Sequence, residues 1–186
     1  MTVENERTTM ANQQAAAPPQ PKTRSDIEKE ATEILRRHGL FSIPVDLVTL
    51  ANREGIKVHN AKFSDENLSG LIAKRGDNVT ILVNQTDVPF RKRFTIAHEI
   101  GHHFLHLLGD GDFVDTQVDL FRDSEGGEPA PKPVEVEANQ FAAALLMPEE
   151  LVRKAFESTQ KLPELARLFN VSEEAMAIRL GRLGLA

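Results

Sequence analysis

Apolar residues recur three and four positions apart through much of the chain, which predicts a protein built largely from amphipathic helices. Ile27, Ala31, Ile34 and Leu35 form the first stripe; Ser25 with Glu28 makes a capping box at its start, and Gly39 ends it. Ile43-Pro44-Val45 opens a second helix running to about Arg53, with Val45, Leu47, Val48 and Ala51 available for the core and Gly55 closing it. Ile56 to Val58 then reads as a short strand. The pattern changes at 68–84: Leu68 to Lys74 and Asn78 to Asn84 read as two strands around an Arg75-Gly76-Asp77 turn. Helical spacing returns with Ala97, Ile100, Phe104 and Leu107, preceded by the basic run Arg91-Lys92-Arg93. Val134, Ala138, Phe141, Ala142 and Leu145 make one more apolar face, ended by Pro148. Near the C-terminus, Pro163 suits a helix start, Ser172 is an N-cap, and Ala175, Met176 and Leu180 pack inward before Gly184. Helices around one small hairpin sheet make the fold class α+β.

Two stretches lack periodicity. Residues 1–24 are polar and Pro- and Gln-containing, the composition of a disordered tail. Residues 109–132 are acidic and rich in Gly and Pro, which predicts a mobile surface loop of which the apolar positions from Phe113 to Phe121 dock. Its aspartates do not match the spacing of an EF-hand, so calcium is rejected. The expected organisation is a tail over 1–24, a main α+β domain over 25–150, and a helical extension over 151–186 that resembles a helix-turn-helix.

Composition narrows the partners. The chain has 186 residues and a formal net charge of −6, a poor balance for an unaided nucleic-acid binder. The second helix of the C-terminal pair opens on Glu173-Glu174, where a DNA reader would carry basic or amide side chains, so a packing or partner-binding pair is expected there. There is no cysteine, so a zinc site must use histidine and carboxylate. No apolar run reaches membrane-spanning length and the N-terminus has no signal-peptide core, from which a cytoplasmic protein is expected.

The chemistry concentrates in His98-Glu99-Ile100-Gly101-His102. Residues four apart on a helix stack on one face, so both imidazoles can point at one ion. Glu99, about 100° further round, can reach that ion's water without being a ligand. Zinc held this way lowers the pKa of its water and polarises a carbonyl, leaving the glutamate to take and return a proton. The competing reading, a core helix that carries two histidines by accident, must explain three coincident residues. A hydrolytic site needs a third protein ligand. His106 lies a further turn along the helix, too far to close on an ion held by the first pair. Glu135 borders the apolar face of the later helix, with Asn139 four residues on along the same edge. That makes Glu135 the candidate ligand and Asn139 a candidate hydrogen-bond partner for a ligand histidine. Glu137, on the opposite border, reads as a solvated glutamate.

His98-Glu99-x-x-His102 followed by Glu135-x-x-Ala138-Asn139-x-Phe141-Ala142-x-x-Leu145-Leu146-Met147-Pro148 resembles the ImmA/IrrE family of metallopeptidases. Arg93 to Ala97, the Pro44-Val45-Asp46 segment and Ser69-Gly70 are also similar, so the resemblance covers about residues 25–150. It implies a zincin-like domain with Zn2+ on His98, His102 and Glu135, Glu99 as general base, and an intracellular protein substrate. For several family members that substrate is a helix-turn-helix, DNA-binding repressor. The chain has no tyrosine, so an oxyanion or substrate contact falls to His106, Arg91 or Arg93. The expectation is therefore a zinc endopeptidase of gluzincin type. The rival is a non-catalytic metal-binding regulator that acts by binding a partner.

Overall fold

A computed structural model describes residues 22–65, 67–106, 113–118 and 132–185. The predicted N-terminal tail, apart from its last residues, and most of the acidic stretch after residue 106 lie outside the described residues. The chain runs α1 (Arg24–Arg37), α2 (Leu47–Arg53), β1 (Ile56–Ala61), β2 (Leu68–Arg75), β3 (Asn78–Asn84), α3 (Pro89–His106), β4 (Phe113–Val118), α4 (Pro133–Leu146), α5 (Glu149–Ser158), α6 (Leu162–Phe169) and α7 (Glu173–Arg182). The fold is α+β.

The sheet has the order β1-β3-β2-β4. The hairpin of β2 and β3 is antiparallel, with Ile72 opposite Ile81, and Gly76 at φ 55° allows its tight turn. β1 joins parallel to β3, and β4 closes antiparallel on the other edge of β2. β4 lies where composition predicts only loop. Its pairing is long-range, so no local period announces it.

Side chains two apart on a strand share a face, so Gly70 and Ile72 look the same way. That face carries α3, which packs on β2 and β3; α4 then packs on α3, and α1 on α4. The core is continuous through these layers, from Ile27, Leu35 and Leu50 through Ile81 and Ile100 to Phe141, Leu165, Phe169 and Leu180.

Local signals are placed with small corrections. The N-cap of α1 is Thr23, not Ser25: its hydroxyl accepts from Asp26 N at 3.2 Å, and Glu28 pairs instead with Arg179. α2 begins after Asp46, whose carboxylate accepts from Thr49 N at 2.9 Å, so the helix is shorter than expected. Val48 faces solvent at 53 % exposure, and Leu50 fills the core in its place. α3 begins at Pro89, so Arg91, Lys92 and Arg93 belong to the helix rather than preceding it. Val134, at the first turn of α4, is exposed, whereas Ala138, Phe141, Ala142 and Leu145 are buried. Ser172 caps α7 through Ala175 N at 3.1 Å, and Gly184 follows with φ 67°.

Candidate metal centre

α3 buries nearly everything from Thr95 to His102. His98, Glu99 and His102 are each only 1 % exposed, in the middle of a helix whose other buried positions are apolar or small. Two close approaches make this possible. Gly70 of β2 passes against α3 so tightly that a Cβ there would lie 2.3 Å from Thr95 Cγ2 and 2.9 Å from the Leu82 carbonyl oxygen. The same position would be 3.7 Å from Glu99 Oε1, so the sheet forms one wall around the glutamate. On the opposite side a Cβ on Gly101 would meet the Ala138 carbonyl and the Phe141 ring, both at 3.2 Å. Glycine between Glu99 and His102 thus lets the backbone of α4 lie directly on α3.

That approach brings α4's polar edge onto the histidines. His98 Nε2 and His102 Nε2 are 2.9 Å apart. Glu135 reaches both, with Oε2 at 3.3 Å from His98 and Oε1 at 3.6 Å from His102. Hydrogen bonding to His102 and then His98 holds the Glu135 carboxyl far below the usual carboxylate range, despite its partial burial. One turn along, Asn139 Oδ1 accepts from His98 Nδ1–H at 2.9 Å, so that with an ion bound Nε2 would be the nitrogen left to ligate it.

The donor set fits a metal ion. One atom from each of His98, His102 and Glu135 lies within 4.8 Å of the others, and this is the metal-competent group among the described residues. A tetrahedron drawn with zinc–ligand bonds of about 2.0–2.1 Å has donors about 3.3 Å apart. The two imidazole nitrogens are 2.9 Å apart, and each lies 3.3–3.6 Å from one of the two Glu135 oxygens, separations of the size such a donor set needs.

The remaining candidates fall elsewhere. His106 stacks beyond His102, with ring centroids 5.3 Å apart, but its Nε2 donates to the Val134 carbonyl at 3.2 Å. Burial, then the neighbouring His102, lowers its pKa. Glu137 is not merely solvated: it accepts from Lys22 N at 2.9 Å and lies 3.8 Å from His106 Nε2. Arg93 donates to the carbonyls of Val45 at 3.0 Å and Asn170 at 3.2 Å, tying α3 to the entry of α2 and the α6–α7 turn. Arg91 is 3.9 Å from Asp87 and lines a cavity of about 460 Å3 with Phe63, Asn84 and Val88. Sequence reasoning did not assign Gly70 and Gly101 their role of close approach; the signal was present only as glycines inside a strand and a helix, where they are otherwise unfavourable.

The model of a peptidase family, the IrrE N-terminal-like domain, matches residues 51–181. The chain belongs to this family. Two curated relatives carry the name radiation response metalloprotease IrrE. The one from Deinococcus radiodurans is 40% identical over 96 residues, 50% of this chain and 27% of the relative. The one from Deinococcus deserti is 34% identical over 139 residues, 73% of this chain and 41% of the relative. The chain thus spans well under half of either relative. The ImmA/IrrE resemblance read from the paired motifs is upheld. The family match extends past residue 150 through α5 and α6 and into α7, beyond the motif helices.

Proposed function

We propose that this IrrE-family protein is a zinc-dependent endopeptidase acting on a protein substrate. The observation that carries the reading is the convergence of His98, His102 and Glu135 beside the buried Glu99. His98, His102 and Glu135 would hold the ion. Bound there, it would supply Lewis acidity for a substrate carbonyl and for an attacking water. The chain's own residues do the rest. Glu99, enclosed between α3 and β2, accepts the proton of the attacking water and returns it to the leaving amine. Asn139 fixes the His98 tautomer, so the imidazole presents a lone pair and not an N–H. With no tyrosine in the chain, His106, which is hydrogen-bonded to the Val134 carbonyl, would serve as a substrate contact.

Zinc is favoured over iron by the helical H-E-x-x-H spacing. A helix-turn-helix repressor as substrate, and an intracellular setting, rest on the family resemblance. Among the described residues no helix is long and apolar enough to cross a membrane. The rival reading is a non-catalytic regulator that holds zinc or nothing, and a closed site with His106 or Glu137 as fourth ligand would favour it. The engagement of His106 and Glu137 with other partners supports the catalytic one.

The test is metal content of wild type, Glu135→Gln and Glu137→Gln, together with cleavage of a candidate repressor by wild type and Glu99→Gln. About one zinc per chain is expected, lost in Glu135→Gln and kept in Glu137→Gln. Glu99→Gln should retain metal and lose cleavage by roughly 10²–10⁴-fold. A wild type that takes up no metal on reconstitution overturns the assignment.

A further inference from the structure

Away from the metal centre, α1, α5 and α7 enclose a groove of about 820 Å3. Its walls are rich in charge, and most of that charge is already matched. Arg36 pairs with Glu150, and Arg153 pairs with Glu149 at 2.7 Å. Arg179, only 4 % exposed, grips Glu28 through both terminal nitrogens, Nη2 to Oε2 at 2.8 Å, and donates from Nε to the Met147 carbonyl at 2.9 Å. Two guanidinium groups remain. Arg24 and Arg182 line the same groove and have no ion pair or hydrogen bond among the described residues. They are close enough to feel each other: partial burial, then repulsion from Arg24 and Arg179, lowers the pKa of Arg182, with the Glu28 carboxylate opposing the shift.

Like charges held together in a concave site are relieved by an anion. Guanidinium forks match the oxygens of phosphate or carboxylate in paired hydrogen bonds. With Lys29 and Glu33 also on the wall, the groove's six cations and four carboxylates leave two net positive charges, which match a phosphate group carrying about −1.5 to −2 at pH 7. We infer that this groove binds a phosphate group, held by Arg24 and Arg182 beside the anchored Arg179. The volume exceeds that of one phosphate and lies in the range of small-molecule sites, with the hydroxyls of Ser25 and Thr32 on the same wall. Glu33, Glu149 and Glu150 along the groove oppose an extended polyanion such as duplex DNA. Arg179 also reaches the carbonyl that ends α4, so the phosphate would be linked to the helix carrying Glu135 and Asn139. The inference does not rest on the peptidase reading.

The experiment is thermal melting of the metal-loaded protein, titrated with inorganic phosphate and with phenyl phosphate at constant ionic strength. A saturable rise in Tm is expected for wild type and for Glu135→Gln, where the metal centre is disabled. Arg24→Ala/Arg182→Ala should keep the basal Tm and require at least tenfold more phosphate for the same rise. Lys57→Ala, an exposed cation on β1, should behave as wild type. A preference for phenyl phosphate identifies the source as a phosphate ester, and a preference for the free ion identifies it as inorganic phosphate; either supports the site. No saturable rise, or an undiminished rise in the double variant, overturns it. So does a rise abolished by Glu135→Gln alone, which places the anion at the metal centre.

Discussion

At the scale of single residues, the site depends on two missing side chains as much as on the groups present. Gly101 separates Glu99 from His102 and lets α4 rest its Ala138 carbonyl on α3. In Gly101→Val the added branches must displace that backbone, so a loss of about 1–3 kcal/mol is expected by chemical denaturation, as for other overpacked cores. The same displacement carries Glu135 away from the histidines, so metal affinity should fall with stability. Asn139→Ala separates these effects. It removes the acceptor for His98 Nδ1–H from a half-buried position, and should weaken metal binding about 10–100-fold in a competition titration. An unchanged affinity would show that the His98 tautomer needs no partner. The H-E-x-x-H residues were legible because helix periodicity alone puts i and i+4 on one face. The choice between Glu135 and Glu137 rested on one helical edge. The structure brings Glu135 to the histidines and directs Glu137 to Lys22 and His106.

At the scale of elements, caps and ties set where helices begin and how they meet. Asp46 caps α2 and accepts from both N and Oγ1 of Thr49, which depresses its pKa. Asp46→Ala should cost about 0.5–2 kcal/mol near neutral pH. A depressed folded pKa contributes stability above the unfolded value of about 3.9 and loses it as pH falls through the folded value. The gap between wild-type and Asp46→Ala melting temperatures should therefore hold from neutral pH down to about 5 and shrink below about 4. A gap independent of pH would mean that the carboxylate charge is not what caps the helix. Arg93 is the corresponding tie between elements. Its two carbonyl partners, on Val45 and Asn170, suggest that Arg93→Met loosens the α2–α3–α6 junction and lowers Tm. If Arg93 acts on substrate instead, the variant will melt normally and lose cleavage.

At the scale of the whole molecule, one core links the sheet, the paired helices α3 and α4, and the three C-terminal helices. An ion held between α3 and α4 would therefore bind the folded state and stabilise all of it. Saturation to 100 times Kd corresponds to about 2.7 kcal/mol, so chelation should lower the wild-type Tm by several degrees. Glu135→Gln, lacking the third donor, should already melt near the chelated value and respond little to the chelator. A Tm indifferent to chelation in wild type would show that the cluster holds no metal in solution.

What the sequence by itself determined is local. The amphipathic helices, the β2–β3 turn, the Ser172 cap and the spacing of His98, Glu99 and His102 all arise from contacts within a few residues, where periodicity and backbone preference decide. The family followed from the same short motifs. Only the tertiary structure decided that β1 adds parallel to β3, that β4 closes the far edge of β2, and that Arg24 and Arg182 face one groove with no ion pair among the described residues. It also brought Glu135 across onto His98 and His102. These arrangements join segments far apart in the chain. They depend on which surfaces fit closely enough to exclude water, and that is a property of packed shapes: Gly70 admits β2 to α3 where a Cβ would clash, and Gly101 admits α4 where a Cβ would press on its backbone.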